Sequence, residues 1–537
     1  MCSSDLVSVF SKVLVANRGE IAVRVLQTLQ AMGIATAAVY SDPDANAPHV
    51  ALADHAFPLG GSTAEETYLD RRKIMELAKS CGAEAVHPGY GFLAENPAFS
   101  RECAEAGLVF IGPSPETIEL LGDKIRSKEA SVKAGVPVVP SSPMWTPGES
   151  QPDDLSSQIG FPLLVKAAAG GGGRGMRMVE RVQDLETALE SASRESASAF
   201  GDGRVFLERY IPSARHVEFQ VLADSSGNTI HLLERECSVQ RRYQKVIEET
   251  PSPILNEDLR TRMAASAVAM AKSAGYTNAG TVEFLVDAQT GEYYFLEMNA
   301  RIQVEHPITE ETLRLDMVEW QTRIAAGESI TLSQEDVRPS GHAVECRIYA
   351  EDPYSDFAPA TGRLLAWRPP SGMGIRLDSG VAEGQEVSAY YDSMLAKLVA
   401  WGPDRQTAIG RMQRALESFP VLGVTTNMPF LIRAIAHPDF RSGDYDTGFI
   451  AKHPELTAPP ASNHLNAAAA AIAERIWQSS GPISGNNMSG QASATTQAPQ
   501  GPWRGLSKST FPSPPAADRK STRLNSSHVV SSYAVFC

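Results

Sequence analysis

The chain has 537 residues, of which 43% are hydrophobic and 21% are charged, a composition typical of water-soluble globular proteins. Lys and Arg number 48 against 63 Asp and Glu, so the formal net charge at pH 7 is -15. This acidic balance argues against a nucleic-acid-binding surface and restricts any phosphate site to a local pocket. Because a single core does not extend over so long a chain, we expect roughly three or four domains.

The cysteine and hydropathy patterns argue against a disulfide scaffold and a membrane span. The six cysteines form no CxxC pair and have no metal-type spacing, which predicts small buried residues in a reducing compartment: Cys2, Cys81, Cys103, Cys237, Cys346 and Cys537. No uninterrupted apolar stretch reaches the roughly 18 residues that a membrane span requires. The N-terminus also lacks a signal-peptide pattern. We therefore expect a cytoplasmic protein.

The N-terminal segment predicts an α/β unit. Residues 13–16 form an apolar run, residues 17–20 break it, and a helical pattern ending at Gly33 follows, with apolar positions at Ile21, Val25, Leu26 and Leu29. A second apolar run at 35–40 completes a strand, helix and strand, which indicates a parallel, Rossmann-like sheet. The first turn lacks GxGxxG spacing, which disfavours a dinucleotide. Residues 87–93 should form a loop at a strand's carboxyl end, where open α/β sheets bind ligands.

A glycine-rich segment, KAAAGGGGRGM at 166–176, lies between apolar runs at 161–165 and 176–179. This order predicts a strand, a glycine turn and a second strand, whereas a P-loop would need GxxxxGK[ST] before a helix. Glycines let backbone amides approach phosphate oxygens and leave the turn mobile until a ligand orders it. Lys166 stands where it can reach an α-phosphate. The alternative is a flexible hairpin tip without a function.

A second hairpin is predicted at 281–299. Residues 281–285 and 293–296 favour strands, and the intervening residues 287–292 contain Asp, Thr and Gly. Because strand side chains alternate between faces, Glu297 and Asn299 share a face, and Glu283 on the partner strand can point toward them. Two carboxylates and an amide are hard ligands suited to Mg²⁺ or Mn²⁺ on a nucleotide phosphate. A solvated acidic hairpin is the alternative.

Longer motifs then follow one another in a fixed order: Gly122-Asp123-Lys124, the segment 166–176, RHVE at 215–218, CSVQRRYQKV at 237–246, EMNARIQVEHP at 297–307, VECR at 344–347 and YYDSM at 390–394. Together they closely resemble the biotin carboxylase component of biotin-dependent carboxylases, an ATP-grasp fold. The resemblance extends from about residue 12 to about residue 452. It implies ATP-dependent carboxylation of biotin with bicarbonate by way of carboxyphosphate, the first half-reaction of an acyl-CoA carboxylase.

The resemblance also implies a fold class and a division of the chain. We expect a multidomain α/β and α+β protein with a Rossmann-like (preATP-grasp) domain at 12–125 and an ATP-grasp domain at 126–330. The ATP-grasp domain should hold a mobile glycine-rich lid at about 139–210, and a C-terminal biotin carboxylase domain should occupy 331–452. Residues 453–537 include an alanine-rich helix candidate at 467–473 and a low-complexity stretch, so we expect a disordered or truncated tail there.

Site residues can be carried over position by position from the resemblance. The nucleotide contacts would be Lys124, Lys166, Gly172, Gly173, Glu208, Arg209, Tyr210, Ile211, His216, Gln240 and Tyr243. The metal ligands would be Glu283, Glu297 and Asn299, in agreement with the interpretation of the hairpin. The bicarbonate pocket would comprise Lys245, Arg301, Gln303 and Val304, with Glu305 as general base and Arg347 at the ureido oxygen of biotin.

Two positions depart from the family pattern. Tyr243 stands where the common pattern QRRHQK has a histidine that contacts the nucleotide. A phenol still hydrogen-bonds a ribose hydroxyl, so we expect altered nucleotide affinity and not inactivity. Ala168 and Ala169 replace a Ser-Gly start of the glycine segment, which slightly stiffens it.

Partners and cofactors also follow from the resemblance. It implies ATP, Mg²⁺ or Mn²⁺, biotin on a carrier domain or protein, a carboxyltransferase subunit, and a homodimer or larger complex. No Met-Lys-Met biotinylation motif occurs, so the biotin should not be attached to this chain. The final acceptor, such as acetyl-CoA, propionyl-CoA, methylcrotonoyl-CoA or geranyl-CoA, is left open because its site lies elsewhere.

Three alternatives to biotin carboxylation are weaker. A catalytically silent nucleotide-binding assembly subunit is disfavoured by the joint presence of Lys245, Arg301, Glu305 and Arg347. Another ATP-grasp bicarbonate-activating ligase, such as a carbamoyl phosphate synthetase, is disfavoured by the motif around Arg347. A dinucleotide oxidoreductase is disfavoured by the first turn.

Overall fold

A computed structural model describes residues 9–146, 156, 159–167, 176–200 and 202–459. The predicted positions Gly172 and Gly173, the alanine-rich segment 467–473, and Cys2 and Cys537 therefore lie outside the described residues. Within the described ranges, no helix combines the length and the apolar character that crossing a lipid bilayer requires.

The N-terminal part is built on a parallel sheet with the strand order β3-β2-β1-β4-β5. Its strands are β1 (Lys12–Val15), β2 (Ala35–Tyr40), β3 (His55–Pro58), β4 (Ala85–His87) and β5 (Val109–Phe110). The helices are α1 (Gly19–Ala31), α2 (Pro48–Leu52), α3 (Arg71–Ser80), α4 (Pro97–Glu105) and α5 (Pro115–Gly122). The predicted strand, helix and strand are confirmed. The Nδ2 of Asn17 donates to the carbonyl of Pro88 at 2.7 Å, which joins the loops after β1 and β4 at one sheet edge.

Helix α6 (Lys124–Lys133) leads into a small antiparallel sheet with the order β7-β6-β8. Its strands are β6 (Leu163–Ala167), β7 (Arg177–Val179) and β8 (Val205–Arg209), with helix α7 (Leu185–Phe200) between the last two. Leu163 pairs with Val179 and Val165 with Arg177, so the two predicted strands are present, and residues 168–175 between them lie outside the described residues. Leu163, Val165 and Leu207 pack with Leu185 and Leu189 in a separate small core.

A large antiparallel sheet follows, and within the described residues its order is β13-β12-β9-β10-β11-β14-β21-β19. The strands are β9 (Ala214–Ala223), β10 (Thr229–Arg241), β11 (Gln244–Thr250), β12 (Asn278–Asp287), β13 (Tyr293–Asn299), β14 (His342–Tyr349), β19 (Ile375–Ser379) and β21 (Met394–Gly402). The helices associated with it are α8 (Glu257–Ser273), α9 (His306–Leu313), α10 (Met317–Ala325) and α11 (Arg405–Glu417).

Short elements complete the C-terminal part. Strand pairs are β15 (Glu351–Asp352) with β16 (Ala358–Pro359), β17 (Gly362–Arg363) with β20 (Glu386–Val387), and β18 (Ala366–Trp367) with β22 (Val421–Leu422). The last helices are α12 (Met428–Ala436), α13 (Pro438–Ser442) and α14 (Phe449–Lys452). Single 3-10 turns lie at Asp42–Asp44, Val182–Asp184, Gln334–Asp336 and Pro454–Thr457.

Alternation along β9 explains how the large sheet presents a polar face beside an apolar core. Val217, Phe219 and Val221 are buried in one hydrophobic cluster with residues of α8 such as Met263. Burial of this kind stabilises a protein by roughly 1.5–3 kcal/mol for each large side chain. The residues between them, Glu218 and Gln220, point to the opposite face by the period of two. This opposite face carries the candidate site.

Candidate active site

A row of charged side chains crosses four adjacent strands of the large sheet. Arg235 on β10 lies opposite Glu218 on β9, Glu218 lies opposite Glu283 on β12, and Glu283 lies opposite Glu297 on β13. Directly opposed residues on neighbouring strands share a face, and Asn299 shares it because it is two residues beyond Glu297. The predicted hairpin is thus present, with its three oxygen-bearing residues on one face.

Lys245 joins three carboxylates at the centre of this face. Its Nζ contacts Glu218 and lies 2.9 Å from Oε1 of Glu283 and 2.6 Å from Oε1 of Glu305. Burial by itself would lower the pKa of Lys245, but the three carboxylates hold that pKa well above its usual value. Lys245 is therefore a permanent cation at the point where the hairpin meets the segment 301–305.

Glu305 is held between two cations. Its Oε1 lies 2.6 Å from Nζ of Lys245, and its Oε2 lies 2.9 Å from Nη2 of Arg347. Burial alone would raise the pKa of Glu305, yet Lys245 and Arg347 keep that pKa well below its usual range. Nε of Arg347 also lies 2.6 Å from Oε1 of Glu248, whose pKa burial raises above its usual value. Glu305 is consequently ionised whenever the two cations are in contact with it.

Arg301 organises the exit of the hairpin. It donates from Nη1 to Oε1 of Gln303 and from Nη2 to Oδ1 of Asn299, both at 2.9 Å, and from Nε to Oε2 of Glu95 at 2.9 Å. Gln303 in turn donates to Oε1 of Glu283 at 2.9 Å. Arg301 and Gln303 thus form one network with two of the predicted metal ligands.

The backbone of Val304 is fixed by a buried lysine from the C-terminal part. Nζ of Lys397 donates to the Val304 carbonyl at 2.9 Å and lies 3.0 Å from Oε2 of Glu20. Lys397 is fully buried. A strand near the end of the large sheet therefore sets the position of a predicted bicarbonate-pocket residue.

The oxygen ligands on the hairpin fit a hard divalent ion. Oε1 of Glu283 accepts from Nδ2 of Asn299 at 2.8 Å, and its Oε2 lies 2.7 Å from Nε2 of His216. Burial opposes ionisation of Glu283, but Lys245 and His216 hold its pKa below the usual range, so a charged ligand is available. Glu297, opposite Glu283, has an exposed side chain. Carboxylate and amide oxygens in this arrangement suit Mg²⁺ or Mn²⁺.

The predicted nucleotide contacts fall into two groups. In the first group, Nζ of Lys166 contacts Oε2 of Glu208 across the β6–β8 pair. Arg209 is the last residue of β8, and Tyr210 and Ile211 follow it. Nζ of Lys128, which no sequence pattern indicated, lies 3.7 Å from Oε1 of Glu208. Lys124 is the exposed first residue of α6. These residues belong to the small sheet and its approach.

The second group lies on the large sheet. Nε2 of Gln240 contacts Nδ1 of His216 at 2.7 Å, so the Gln240 amide, the His216 ring and Glu283 form a chain. Tyr243 and Arg242 form the turn between β10 and β11, both with positive φ, at +67° and +50°. The Tyr243 side chain is 60% exposed, at the rim of the site.

Besides Lys128 and Lys397, four further charged residues of the site were not predicted from the sequence. Arg235 is fully buried, with Nε 2.6 Å from Oε1 of Glu218 and Nη1 2.8 Å from Oε1 of Gln220. Glu248 and Glu95 orient Arg347 and Arg301. The alternation of Glu218 and Gln220 with apolar residues was the available signal for Glu218. Glu248 and Glu95 reach the site through tertiary contacts that carry no local signal.

The contact of Lys166 with Glu208 on the small sheet and the buried carboxylates around Lys245 on the large sheet fit an ATP-grasp ligase. Three family models match the chain in order: biotin carboxylase, N-terminal domain, at residues 9–118; carbamoyl-phosphate synthase L chain, ATP binding domain, at 123–333; and biotin carboxylase C-terminal domain, at 345–452. Curated relatives and solved structures agree with these matches. The chain belongs to the biotin carboxylase family.

Among the relatives, the biotin carboxylase of a Nostoc species is 49% identical over 441 residues, which are 82% of this chain and 98% of that protein. Biotin carboxylase 2 of Bacillus subtilis is 48% identical over 83% of this chain and its own full length. A similar solved structure is the biotin carboxylase domain dimer of Hydrogenobacter thermophilus 2-oxoglutarate carboxylase, in complex with MgADP, ADP and bicarbonate. Its TM-score to this chain is 0.80 at 47% sequence identity, and the match covers 84% of this chain and 99% of the H. thermophilus chain.

Proposed function

We propose that this ligase carboxylates biotin with bicarbonate at the expense of ATP, and that the residues described above perform the reaction. The observation that supports this most is the placement of Glu305 between Lys245, at 2.6 Å, and Arg347, at 2.9 Å. Lys245 also contacts Glu283 on the metal side. One carboxylate is thus linked to both the phosphate side and the biotin side of the site.

The first step forms carboxyphosphate. Lys245 and Arg301 bind and orient bicarbonate, and Glu305 accepts its proton. The bicarbonate oxygen then forms a bond to the γ-phosphorus of ATP while the bond to the bridging oxygen breaks, and ADP leaves with that electron pair. Lys245 and Arg347 hold the pKa of Glu305 well below its usual range, and a bicarbonate anion beside Lys245 would offset part of that effect and favour proton transfer to Glu305. Lys124 and Lys166 neutralise the nucleotide phosphates.

The second step carboxylates the biotin ring. Carboxyphosphate breaks into CO₂ and phosphate, the phosphate takes the proton from N1′, and N1′ forms a bond to the carbon of CO₂. Arg347 stabilises the negative charge that develops on the ureido oxygen, because a guanidinium stays charged and its planar fork fits such an oxygen. The pKa of Arg347 is well above its usual value because Glu248 and Glu305 outweigh the effect of burial.

Glu283, Glu297 and Asn299 would hold the divalent ion. When bound, Mg²⁺ or Mn²⁺ supplies positive charge to the nucleotide phosphates. His216 and Gln240 keep Glu283 oriented, and residues 208–211 would meet the adenine through their backbone. Tyr243 would reach the ribose from the rim, and Gly172 and Gly173 would cover the phosphates. Gln303 and the backbone of Val304 would complete the bicarbonate pocket.

The matched family segments support the domain division proposed from the sequence. They meet between residues 118 and 123 and between 333 and 345, near the proposed borders at 125/126 and 330/331. The small sheet with α7 supports a lid at about 139–210. The C-terminal domain would then extend beyond the proposed limit of residue 452, because the turn at Pro454–Thr457 and the buried side chain of Leu456 belong to it.

The final acceptor of the carboxyl group and the oligomeric assembly are proposed from the similarity to known proteins. Propionyl-CoA carboxylase alpha chain of Ruegeria pomeroyi is 46% identical over 492 residues, or 87% of this chain, which supports an acyl-CoA as the final acceptor. A biotinyl carrier and a carboxyltransferase subunit would be the partners. The dimer of the H. thermophilus domain supports a homodimer. The free thiols of Cys103, Cys237 and Cys346 support a reducing compartment such as the cytoplasm.

The test is ADP release by the full chain with free biotin, with and without bicarbonate. We expect release to require bicarbonate and to rise with biotin, and Glu305→Gln to lower it about 10²- to 10⁴-fold. Glu292→Gln is the matched control, because Glu292 is exposed in the hairpin turn, where its carboxylate accepts the Tyr294 hydroxyl at 2.7 Å. Bicarbonate-dependent release that ignores biotin would favour another bicarbonate-activating ligase, and no release would favour a silent subunit.

A further inference from the structure

Two histidines near the end of the described chain lie in contact, with their ring planes tilted by 46°, away from the residues assigned to catalysis. The ring centroids of His437 and His453 are 4.0 Å apart. His437 precedes α13, and His453 lies between α14 and the turn at Pro454–Thr457. The rings also contact Phe449, at centroid distances of 5.4 and 5.1 Å, which shields one side from water.

A carboxylate lies on each side of this pair. On one side, Oδ2 of Asp439 lies 2.9 Å from Nε2 of His453 and 3.9 Å from Nδ1 of His437. On the other side, Oε1 of Glu455 lies 3.2 Å from Nδ1 of His453 and 3.4 Å from Nε2 of His437. Each ring therefore has one nitrogen toward Asp439 and the other toward Glu455.

One hydrogen bond indicates which nitrogen of the neutral His437 ring is the acceptor. Its Nδ1 accepts the backbone N–H of Asp439 at 3.2 Å, so the proton of the neutral ring is on Nε2, toward Glu455. The electron pair thus lies on the side of Asp439. One ligand atom each from His437, Asp439 and His453 lies within 4.8 Å of the others.

We propose that His437, Asp439 and His453 bind a borderline transition-metal ion such as Zn²⁺, and that Glu455 orients the two imidazoles. Two imidazoles and a carboxylate are a common zinc ligand set. A metal-bound histidine usually donates its second N–H to a carboxylate, which is the position that Glu455 occupies relative to both rings. The metal would replace the Asp439 N–H at Nδ1 of His437, where the present hydrogen bond, at 3.2 Å, is at the upper end of the usual range.

The geometry also provides a place for a further ligand. Asp439 and His453 line a cavity of about 390 Å³ together with Asp446, Lys452 and Arg215. Arg215 is buried, and among the described residues its Nε and Nη1 have no hydrogen-bond partner, although Nη1 lies 3.8 Å from Oε1 of Glu236. Water or a small anion in this cavity completes the coordination of the ion. The ion then joins α13 to the segment after α14, which are separate in the sequence.

The experiment uses the full chain, stripped of metal and held in excess Mg²⁺ so that the oxygen site on the hairpin stays filled. Co²⁺ and Zn²⁺ are the probes. We expect Co²⁺ to produce the intense visible absorption of a low-coordinate site with nitrogen ligands, and Zn²⁺ to displace it and raise the melting temperature, because an ion that binds only the folded state stabilises it.

Asp439→Asn is the main variant, because its side chain is 44% exposed and the fold should tolerate the change. It should abolish the cobalt spectrum and the zinc-induced rise in melting temperature, as should His453→Gln. Glu455→Gln should weaken zinc about 10- to 100-fold. His55→Gln, at an exposed histidine of β3, is the control and should bind as the unmodified chain does.

Unchanged cobalt spectra and zinc affinities in both Asp439→Asn and His453→Gln would overturn the proposal. So would their loss in Glu297→Gln, since that result would assign the ion to the hairpin. Circular dichroism of each variant establishes that it is folded. The readouts are independent of biotin carboxylation, so a failure here leaves the proposed function untouched.

Discussion

Nη2 of Arg347 lies 2.9 Å from Oε2 of Glu305, and its Nε lies 2.6 Å from Oε1 of Glu248. One guanidinium therefore bridges two buried carboxylates. Arg347→Lys keeps the charge but offers a single nitrogen, which cannot serve both carboxylates and biotin. We expect biotin-dependent ADP release to fall about 10²- to 10³-fold. Arg368→Lys, at an exposed pair with Glu383, is the control. Turnover equal to that of the control would contradict the role of Arg347.

Glu218 should matter for stability as well as for the site. It is fully buried and contacts both Lys245 and Arg235. Glu218→Gln removes the negative charge that balances these two buried cations. Breaking such a buried ion pair typically lowers the free energy of unfolding by about 3–5 kcal/mol. Urea denaturation of the variant beside Glu292→Gln measures the loss. An unchanged unfolding midpoint would show that the oxygens of Gln220 and Thr281 are sufficient partners for Arg235.

Glu249 makes part of the stability depend on pH. Its carboxylate contacts His342 at 2.6 Å, Arg405 at 2.6 Å and the Tyr445 hydroxyl. Burial alone would raise its pKa, but the bonds from His342 and Arg405 lower that pKa to about 2. Because the folded-state pKa lies below the unfolded one, the carboxylate stabilises the fold above about pH 4.5 and loses this contribution as the pH falls toward 2.

Glu249→Gln should therefore lose about 3 kcal/mol of unfolding free energy near neutral pH, and the difference from the unmodified chain should shrink as the pH falls below about 4.5. Urea titrations over this pH range measure it. Glu335→Gln, at an exposed glutamate, controls for the change in net charge. A difference that stays constant with pH would rule out this assignment.

Tyr243 offers a test of the departure from the family pattern. It occupies a left-handed backbone conformation at φ +67°, with its side chain 60% exposed at the rim. Histidine adopts such a conformation more readily than most residues. Its imidazole is shorter than the phenol of tyrosine and donates a hydrogen bond from a ring N–H. We expect Tyr243→His to lower the KM for ATP about two- to tenfold with little change in kcat, measured by ADP release. Tyr390→His, at another exposed tyrosine, should leave the KM unchanged.

Local patterns were sufficient for the hairpins. Alternation in 281–285 and 297–299 predicted that Glu283, Glu297 and Asn299 share a face, and the glycine segment between two apolar runs predicted the β6–β7 pair. The first strand, helix and strand also followed from periodicity. In each case the partners are close in the sequence, so composition and spacing determine the pairing.

The remaining contacts of the site depend on pairing between distant segments. Arg347 by itself would most often be a salt-bridged surface residue, and it is buried here only because β14 pairs with β11, with Cys346 opposite Ile247. Lys397 reaches Val304 because β21 lies beside β14. No periodicity in either segment specifies its neighbour, so motif resemblance was needed to associate Arg347 with Glu305.

The pairing of β11 with β14 has a further consequence for how the chain is made. Until β14 has left the ribosome, β11 presents an open row of backbone donors and acceptors that can pair with another chain. A fragment that stops near residue 330 would keep this edge, and it would be expected to aggregate even though it contains every residue of the metal hairpin. The ATP-grasp and C-terminal segments, which their motifs name as separate domains, should therefore behave as a single unit in expression and refolding.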